Sequence, residues 1–125
     1  MAERAALRVG ARGEDLAAAE LERQGMTILA RNWRCPTGEI DIVATEDAGG
    51  RQTLVFCEVK CRTGLGFGGP LEAITHAKVR KLRQLAAEWL AATGSGVEQI
   101  RIDAVGVVLL PRQRPQLTHI RGIGG

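Results

Sequence analysis

The segment Thr53–Arg62 constrains the fold most, because it is the clearest strand in the chain. Alternation divides it into two faces, one carrying Leu54, Phe56, Glu58, Lys60 and Arg62 and the other carrying Val55, Cys57, Val59 and Cys61. Its first half is apolar on both faces, which is typical of a strand at the centre of a sheet. Its second half is charged on one face, so the end of this strand carries side chains that could form a polar functional site.

The elements around this strand predict an α/β fold class. In chain order the predicted elements are a helix over 3–24 ended by Gly25, strands over 26–31, 39–45 and 53–62, a helix from Pro70 to Ala92 ended at Gly94, and strands over 100–110 and 116–121. Three consecutive strands favour a meander, and a helix before the fourth favours a crossover. We expect one mixed sheet flanked by helices, in a single domain that spans residues 1–125.

Hydrophobic periodicity also predicts which side chains share a face. The stripe of the first helix contains Leu7, Glu14, Ala17, Ala18 and Leu21, and that of the second contains Leu71, Ile74, Lys78, Leu82, Leu85 and Trp89. Ile40, Ile42 and Ala44 are expected on one face of their strand. Gly10 and Gly13 would let the first helix approach the sheet closely, and residues 64–69 have the composition of a mobile connector.

Composition limits the classes of partner. The chain has 125 residues, a formal charge of +3, two Trp, two Phe and no Tyr. A mild basic excess suits a polyanionic partner without requiring one. Proteins that bind single strands or RNA usually stack bases on several aromatic side chains, so nucleic-acid contacts here should be made mainly through phosphates.

The cysteines and apolar runs predict a cytoplasmic protein. Cys57 and Cys61 lie four residues apart on a strand, about 13 Å between α-carbons, which excludes a mutual disulfide and a shared zinc ion. Buried free thiols in a reducing compartment are the better interpretation. The run Val107–Leu110 is too short to span a bilayer, and the N-terminus has an acidic Glu3 and no apolar signal core, so neither membrane insertion nor export is expected.

Glu58 and Lys60, taken alone, would be an ordinary ion pair of little energetic value. Asp41 favours a functional site over an ordinary ion pair, because an acidic side chain between Ile40 and Ile42 needs a partner or a cation. Antiparallel pairing through the turn at 47–50 would bring Asp41 near Glu58. Two converging carboxylates suit a hard divalent cation such as Mg²⁺.

Two further charged side chains fall within apolar helical stripes. Glu14 lies seven residues from both Leu7 and Leu21, so it points with the core stripe; a solvated glutamate is the alternative. Lys78 is either functional or a lysine that extends its ammonium to solvent. Beside it, Arg80, Lys81 and Arg83 form a basic surface suited to phosphates, or simply a solvated helix face.

In combination, five segments resemble the bacterial YraN family, which is similar to archaeal Holliday junction resolvases of the PD-(D/E)XK nuclease superfamily. The segments are Gly13-Glu14, Asn32–Arg34, Gly38–Asp41, Phe56–Arg62 and the Lys78 helix. The resemblance covers nearly the whole chain and implies a restriction-endonuclease-like αβββαβ core. Glu-Val-Lys alone is a weak motif, whereas its combination with Gly-Glu-Ile-Asp at this spacing is specific.

The resemblance also implies a role for each site residue. Asp41 and Glu58 would bind Mg²⁺ or Mn²⁺, together with the backbone carbonyl of Val59, and Glu14 would help a second metal site. Lys60 would orient the attacking water and stabilise charge on the scissile phosphate. The predicted nucleic-acid contacts are Arg62, Lys78, Arg80, Lys81 and Arg83.

Other polar residues receive no functional role from the sequence. Glu39 is left out of the predicted site because it is expected on the face opposite Asp41. Asp103 has no assigned role, and His76 and His119 are interpreted as incidental.

The leading hypothesis is a metal-dependent endonuclease acting on nucleic acid, with DNA favoured and branched DNA as one candidate. A homodimer is the candidate assembly, since resolvase-like relatives act as dimers. The alternatives are a nucleic-acid-binding domain that keeps the fold with little turnover, and a protein-interaction scaffold in which the charged strand end is an ordinary ion pair.

Overall fold

The elements follow the predicted order along the chain. The computed structural model describes residues 2–64, 69–97 and 99–124, with side chains from residue 8 onward except that of Ala73. The elements are α1 (Ala2–Arg23), β1 (Thr27–Cys35), β2 (Gly38–Ala48), β3 (Arg51–Arg62), the 3-10 helix η1 (Pro70–Ala73), α2 (His76–Thr93), β4 (Gln99–Val108) and β5 (Gln116–Ile120). The predictions for the side chain of Leu7 and for most of the connector, residues 65–68, fall outside the described residues.

The five strands form one mixed sheet in sequence order, β1-β2-β3-β4-β5. Strands β1 to β3 form an antiparallel meander, β3 and β4 are parallel, and β5 returns antiparallel to β4. The parallel pair requires a crossover, which α2 provides. The predicted fold class, a mixed sheet flanked by helices, is confirmed.

Each helix covers one face of the sheet and closes one half of the core. On the α1 side, Ala17 and Leu21 pack with Ile42, Val55 and Cys57. The cluster on the α2 side contains Leu54, Phe56, Leu82, Leu85 and Trp89, in which the rings of Phe56 and Trp89 meet edge to face at 5.8 Å. The predicted division of β3 into two faces is therefore confirmed, and β3 lies at the centre of the sheet.

The prediction that Ile40, Ile42 and Ala44 share a face is wrong. Ile40 packs in the α2-side cluster, whereas Ile42 and Ala44 pack in the α1-side cluster. The backbone leaves the regular pleat between them, and Asn32 on the neighbouring strand has a left-handed φ of 53°. Asp41 lies at this irregularity, where simple alternation does not hold.

The second helix is not continuous from Pro70 as predicted. Pro70 begins the short η1, extended backbone at Ile74 and Thr75 interrupts the helical path, and α2 starts at His76. The Thr75 hydroxyl accepts a hydrogen bond from the Lys78 backbone N–H at 3.2 Å, so it caps a new helix start. Gly94, with φ of 66°, ends α2 as predicted.

The hairpin between β1 and β2 is longer than the sequence predicts. Pairing continues as far as Cys35 opposite Gly38, so β1 extends beyond the predicted end at residue 31. Only two residues separate the strands, and the Thr37 hydroxyl donates to Glu88 of α2 at 2.6 Å. This contact ties the tip of the hairpin to the second helix.

Close approach of α1 to the sheet depends on one of the two predicted glycines. A β-carbon at Gly13 would lie 2.8 Å from Cβ of Cys61, so α1 sits directly on β3 there. Among the residues that the structure describes, no atom lies within 4 Å of the corresponding position at Gly10, so the prediction for that residue is wrong. Glu14, the next residue after Gly13, is held beside the sheet as a result.

The three cysteines are free thiols, with Cys57 buried and Cys35 and Cys61 half-buried. In the described ranges, no helix has both the length and the apolar composition needed to cross a bilayer.

Candidate metal centre

Asp41 lies where β2 and β3 separate. The register between these strands runs from Ala48 opposite Arg51 to Ile42 opposite Cys57, and Asp41 is the next residue of β2. Its Oδ2 accepts a hydrogen bond from the backbone N–H of Val59 at 2.8 Å. The carboxylate thus replaces the backbone carbonyl that would accept this hydrogen bond if the β2–β3 pairing continued. The hydrogen bond holds the Asp41 side chain against β3.

The surroundings of Asp41 disfavour its ionised form. Burial and the negative charge of Glu58 raise the pKa of Asp41 to about 7, and Glu14 and Glu39 add to this effect. The hydrogen bond from Val59 acts in the opposite direction but is outweighed. A carboxyl group of this kind gains stability from a proton or from a cation.

Glu14, Glu39 and Asp41 form an acidic cluster. Each offers a carboxylate oxygen, and these three oxygens lie within 4.8 Å of one another. Half-buried carboxylates from α1 and β2 at this separation are suitable ligands for a hard divalent cation. The structure therefore brings together two residues predicted for the site, Glu14 and Asp41, and adds a third.

The prediction that Glu39 faces away from Asp41 is wrong. Residues two apart on a strand point to the same side, and the Glu39 carboxylate lies with that of Asp41. Ordinary alternation would group Glu39 with Asp41, and the two carboxylates meet although the backbone of β2 leaves the regular pleat at Asp41. Arginines flank the cluster: Arg34 contacts Glu39 at 3.1 Å, and Arg31 lies 3.9 Å from Glu14 and 2.7 Å from Asp15.

Glu58 is buried on the α2 side of β3 and contacts two ammonium groups. Its Oε1 lies 3.4 Å from Nζ of Lys60 and 3.3 Å from Nζ of Lys78. Lys78 therefore reaches into the site from α2. Among the described residues, Glu58 does not join the three-oxygen cluster, although its charge contributes to the raised pKa of Asp41.

The arrangement combines opposite charges at one end of the sheet. The acidic cluster can hold a cation, and Lys60 and Lys78, both about two-thirds buried, place two positive charges beside Glu58. Such an array can bind a phosphate group between a metal ion and an ammonium group. The backbone N–H of Val59 is engaged by Asp41, so it also fixes the distance between β2 and β3 at the site.

The remaining predicted nucleic-acid contacts lie outside this centre. Arg62 is exposed at the end of β3, and Arg80, Lys81 and Arg83 are exposed on α2. Arg83 donates to the carbonyl of Gly124 at 3.3 Å. Their role in binding nucleic acid stays a prediction.

Asp103 and His119 form a second polar centre, which the sequence pattern does not reveal. Asp103 is fully buried and accepts two hydrogen bonds from Arg101, at 2.7 and 2.9 Å, and one from the backbone of Gly122. His119 Nε2 lies 2.8 Å from Asp103, and its Nδ1 lies 3.1 Å from the Gln24 amide. His119 is thus not incidental, whereas His76 is exposed at the start of α2.

The fold and the centre together define the class of the protein: an α/β protein with a mixed five-stranded sheet between two helices and an acidic cluster where β2 and β3 separate. The chain belongs to Uncharacterised protein family UPF0102, whose model matches residues 13–107. The resemblance to the YraN-type family is therefore confirmed.

Relatives from Mycobacterium and Nocardia extend this match over most of the chain. A UPF0102 protein of Mycobacterium avium is 50% identical over 118 residues, which are 94% of this chain and 91% of the relative. A UPF0102 protein of Mycobacterium marinum is 48% identical over 118 residues, or 94% and 95% of the two chains. One from Nocardia farcinica is 47% identical over 115 residues, or 92% and 87%.

Proposed function

We propose that this protein is a metal-dependent endonuclease that hydrolyses phosphodiester bonds in nucleic acid, with DNA as the favoured substrate. The observation that carries the proposal is the convergence of Glu14, Glu39 and Asp41 within 4.8 Å, next to the pair formed by Glu58 and Lys60. An ordinary ion pair would account for the contact between Glu58 and Lys60, but it does not account for the convergence of three carboxylates. The resemblance to Holliday junction resolvases supports the same chemistry.

In this proposal Glu14, Glu39 and Asp41 hold Mg²⁺ or Mn²⁺, and Glu58 completes the site when substrate draws the lysines toward phosphate. A bound divalent cation would polarise the phosphate and lower the pKa of an attacking water. Lys60 orients that water and stabilises the charge that develops on the scissile phosphate. The backbone carbonyl of Val59 is a further candidate ligand, as the resemblance implies.

Positively charged side chains on α2 and at the end of β3 would hold the substrate backbone. They are Arg62, Lys78, Arg80, Lys81 and Arg83. Contacts of this kind give affinity that falls with salt and carry little sequence information. We extend the proposal to a cytoplasmic homodimer, because two copies would cover more of a branched substrate than one.

The test is cleavage of branched, single-stranded and duplex DNA and RNA, with and without Mg²⁺ or Mn²⁺. We expect metal-dependent cleavage that decreases about 100-fold or more in Lys60→Ala, because one charge-stabilising group is lost. Arg51→Ala removes one positive charge at the opposite end of the sheet and should retain activity. Cleavage that survives in Lys60→Ala, or that needs no metal, would contradict the proposal.

A second candidate function is a nucleic-acid-binding domain with little turnover. The contact of Glu58 with both Lys60 and Lys78 favours it, because those ammonium groups compete with a cation for the carboxylate. The same experiment separates the two functions. Binding of DNA without cleavage under all metal conditions would support the binding domain.

A further inference from the structure

A groove of about 390 Å³ lies at the same end of the sheet as the acidic cluster. Its charged wall is the amino-terminal half of α1, through Arg8 and Arg12, and its other walls are Thr63 after β3 and the segment 109–111 after β4. The volume is within the range of sites that bind small molecules, about 300–1,000 Å³. The proposed function does not use any of these residues.

The groove is connected to the candidate metal centre through two elements. Thr63 follows Lys60 by three residues, which is about 10 Å along an extended chain. Arg12 precedes Gly13 and Glu14 on α1, where Gly13 rests on Cys61 of β3. The backbone N–H of Leu109 donates to the carbonyl of Arg62 at 2.8 Å, so the far wall of the groove is held to the end of β3, the strand that carries Glu58 and Lys60.

The lining combines two chemical characters. Leu109, Leu110 and Pro111 offer an apolar surface, whereas Arg8 and Arg12 carry guanidinium groups. Guanidinium groups bind phosphates, and their planes also stack on nucleobases. A nucleotide matches both requirements, because it carries an anionic phosphate and a flat base. The scarcity of aromatic residues in this chain makes an arginine plane and an aliphatic wall the available stacking surfaces.

We propose that this groove binds one unpaired nucleotide of a strand whose scissile phosphate lies at the acidic cluster. This inference rests on the proposed function and narrows its substrate class. A paired base would have to leave its stack to enter the groove, at a cost that an already unpaired base does not carry. Single strands, flaps and branch points are therefore preferred over continuous duplex.

The test measures equilibrium binding of a short fluorescent oligothymidylate, of the same oligonucleotide with abasic sites, and of a duplex of equal length, all in EDTA. We expect the wild-type protein to bind the base-containing strand at least about fivefold more tightly than the abasic strand, which is the lower end for stacking of one base. Arg12→Ala should bring this ratio close to one. Arg12→Lys should retain affinity for the abasic strand and still lose the ratio, because lysine keeps the charge without the plane.

Arg51→Ala serves as the control, since it loses the same charge far from the groove and should keep the ratio. A wild-type ratio of one, or a ratio that is unchanged in Arg12→Ala, overturns the inference. If the ratio changes as expected while no substrate is cleaved with any metal, binding of a nucleotide in the groove is supported and the nuclease proposal fails. If cleavage depends on metal and on Lys60 but the wild-type ratio is one, the nuclease proposal is supported and binding of a nucleotide in the groove is rejected.

Discussion

Asp41 illustrates how the chemistry of one side chain depends on its neighbours. Its carboxylate accepts the Val59 N–H and lies beside Glu14 and Glu39. Because burial and the negative charge of Glu58 raise the pKa of Asp41 to about 7, this group holds a proton more readily near neutral pH than an ordinary aspartate does. A divalent cation would replace that proton, so pH and metal should act on the same residue.

At the residue scale we expect the metal-free protein to lose stability between about pH 4 and pH 7. The pKa of Asp41 is raised on folding, so the folded state binds more protons than the unfolded state in this interval and the free energy of unfolding falls as pH increases. Asp41→Asn should remove this contribution and stabilise the metal-free protein at pH 8 by about 1 kcal/mol. Urea unfolding in EDTA at pH 5 and pH 8 measures both effects.

Asp47→Asn is the matched control, because Asp47 is exposed near the other end of β2. This variant keeps Asp41, so we expect its free energy of unfolding to fall from pH 5 to pH 8 as in the wild type. Added Mn²⁺ should stabilise the wild-type protein more than Asp41→Asn, since a cation that binds only the folded state stabilises it by mass action. Equal pH profiles for wild type and Asp41→Asn would show that Asp41 titrates normally.

At the scale of elements, glycine determines how closely η1 approaches the sheet. A β-carbon at Gly106 of β4 would lie 2.7 Å from Cγ of Pro70 and 3.0 Å from Cγ of Leu71. Gly106 is also the register partner of Lys60 on β3. The start of the crossover is therefore packed against β4 next to Lys60, and a larger side chain at residue 106 would disturb both η1 and β4.

Gly106→Ala should destabilise the protein by about 1–3 kcal/mol, because η1 or β4 must move to accept the methyl group. We expect reduced cleavage as well, since any shift of β4 changes the strand that positions Lys60. Gly96→Ala is the control, because no atom of the described part of the chain lies within 4 Å of a β-carbon at that position. Chemical denaturation of both variants checks the prediction, and equal stability of the two would show that the contact at Gly106 relaxes freely.

At the scale of the whole molecule, a largely buried polar network joins β2, β4, β5 and the turn that follows α1. Arg101 of β4 contacts Asp103 and Glu46, and His119 of β5 contacts Asp103 and Gln24. Burial acts to raise the pKa of Asp103, but hydrogen bonds from Arg101, Gly122 and His119 outweigh it and hold this pKa below its ordinary value. The network fastens the carboxyl-terminal strand to the rest of the sheet.

Asp103→Ala should reduce the free energy of unfolding by about 3–5 kcal/mol, because it leaves the largely buried Arg101 without its bidentate partner. The double variant Arg101→Met/Asp103→Leu removes both charges and should cost less than Asp103→Ala alone. Urea unfolding of the wild type, Asp103→Ala and the double variant measures the free energies of unfolding to be compared. A double variant less stable than Asp103→Ala would show that packing, and not the loss of the Asp103 carboxylate as a partner of Arg101, dominates at this position.

Much of the fold was predictable because hydrophobic periodicity is a local signal. The alternation along Thr53–Arg62 is sufficient to identify a central strand and its two faces, and both are confirmed. The capping glycines Gly25 and Gly94 mark where the helices end, since both adopt a left-handed φ. The break between η1 and α2 was missed because the hydrophobic stripe continues across it while the backbone does not.

The sequence by itself determined the order of elements, the mixed sheet and the presence of Glu14, Asp41, Glu58 and Lys60 on elements that can meet. Only the tertiary structure decided which of them do meet. Asp41 leaves the regular pleat where the β2–β3 ladder ends, and the carboxylate of Glu39 lies beside that of Asp41. Glu58 of β3 contacts Lys78 of α2. Periodicity reports the face that a residue occupies in a regular element, whereas these contacts depend on where regularity stops and on segments far apart in the chain.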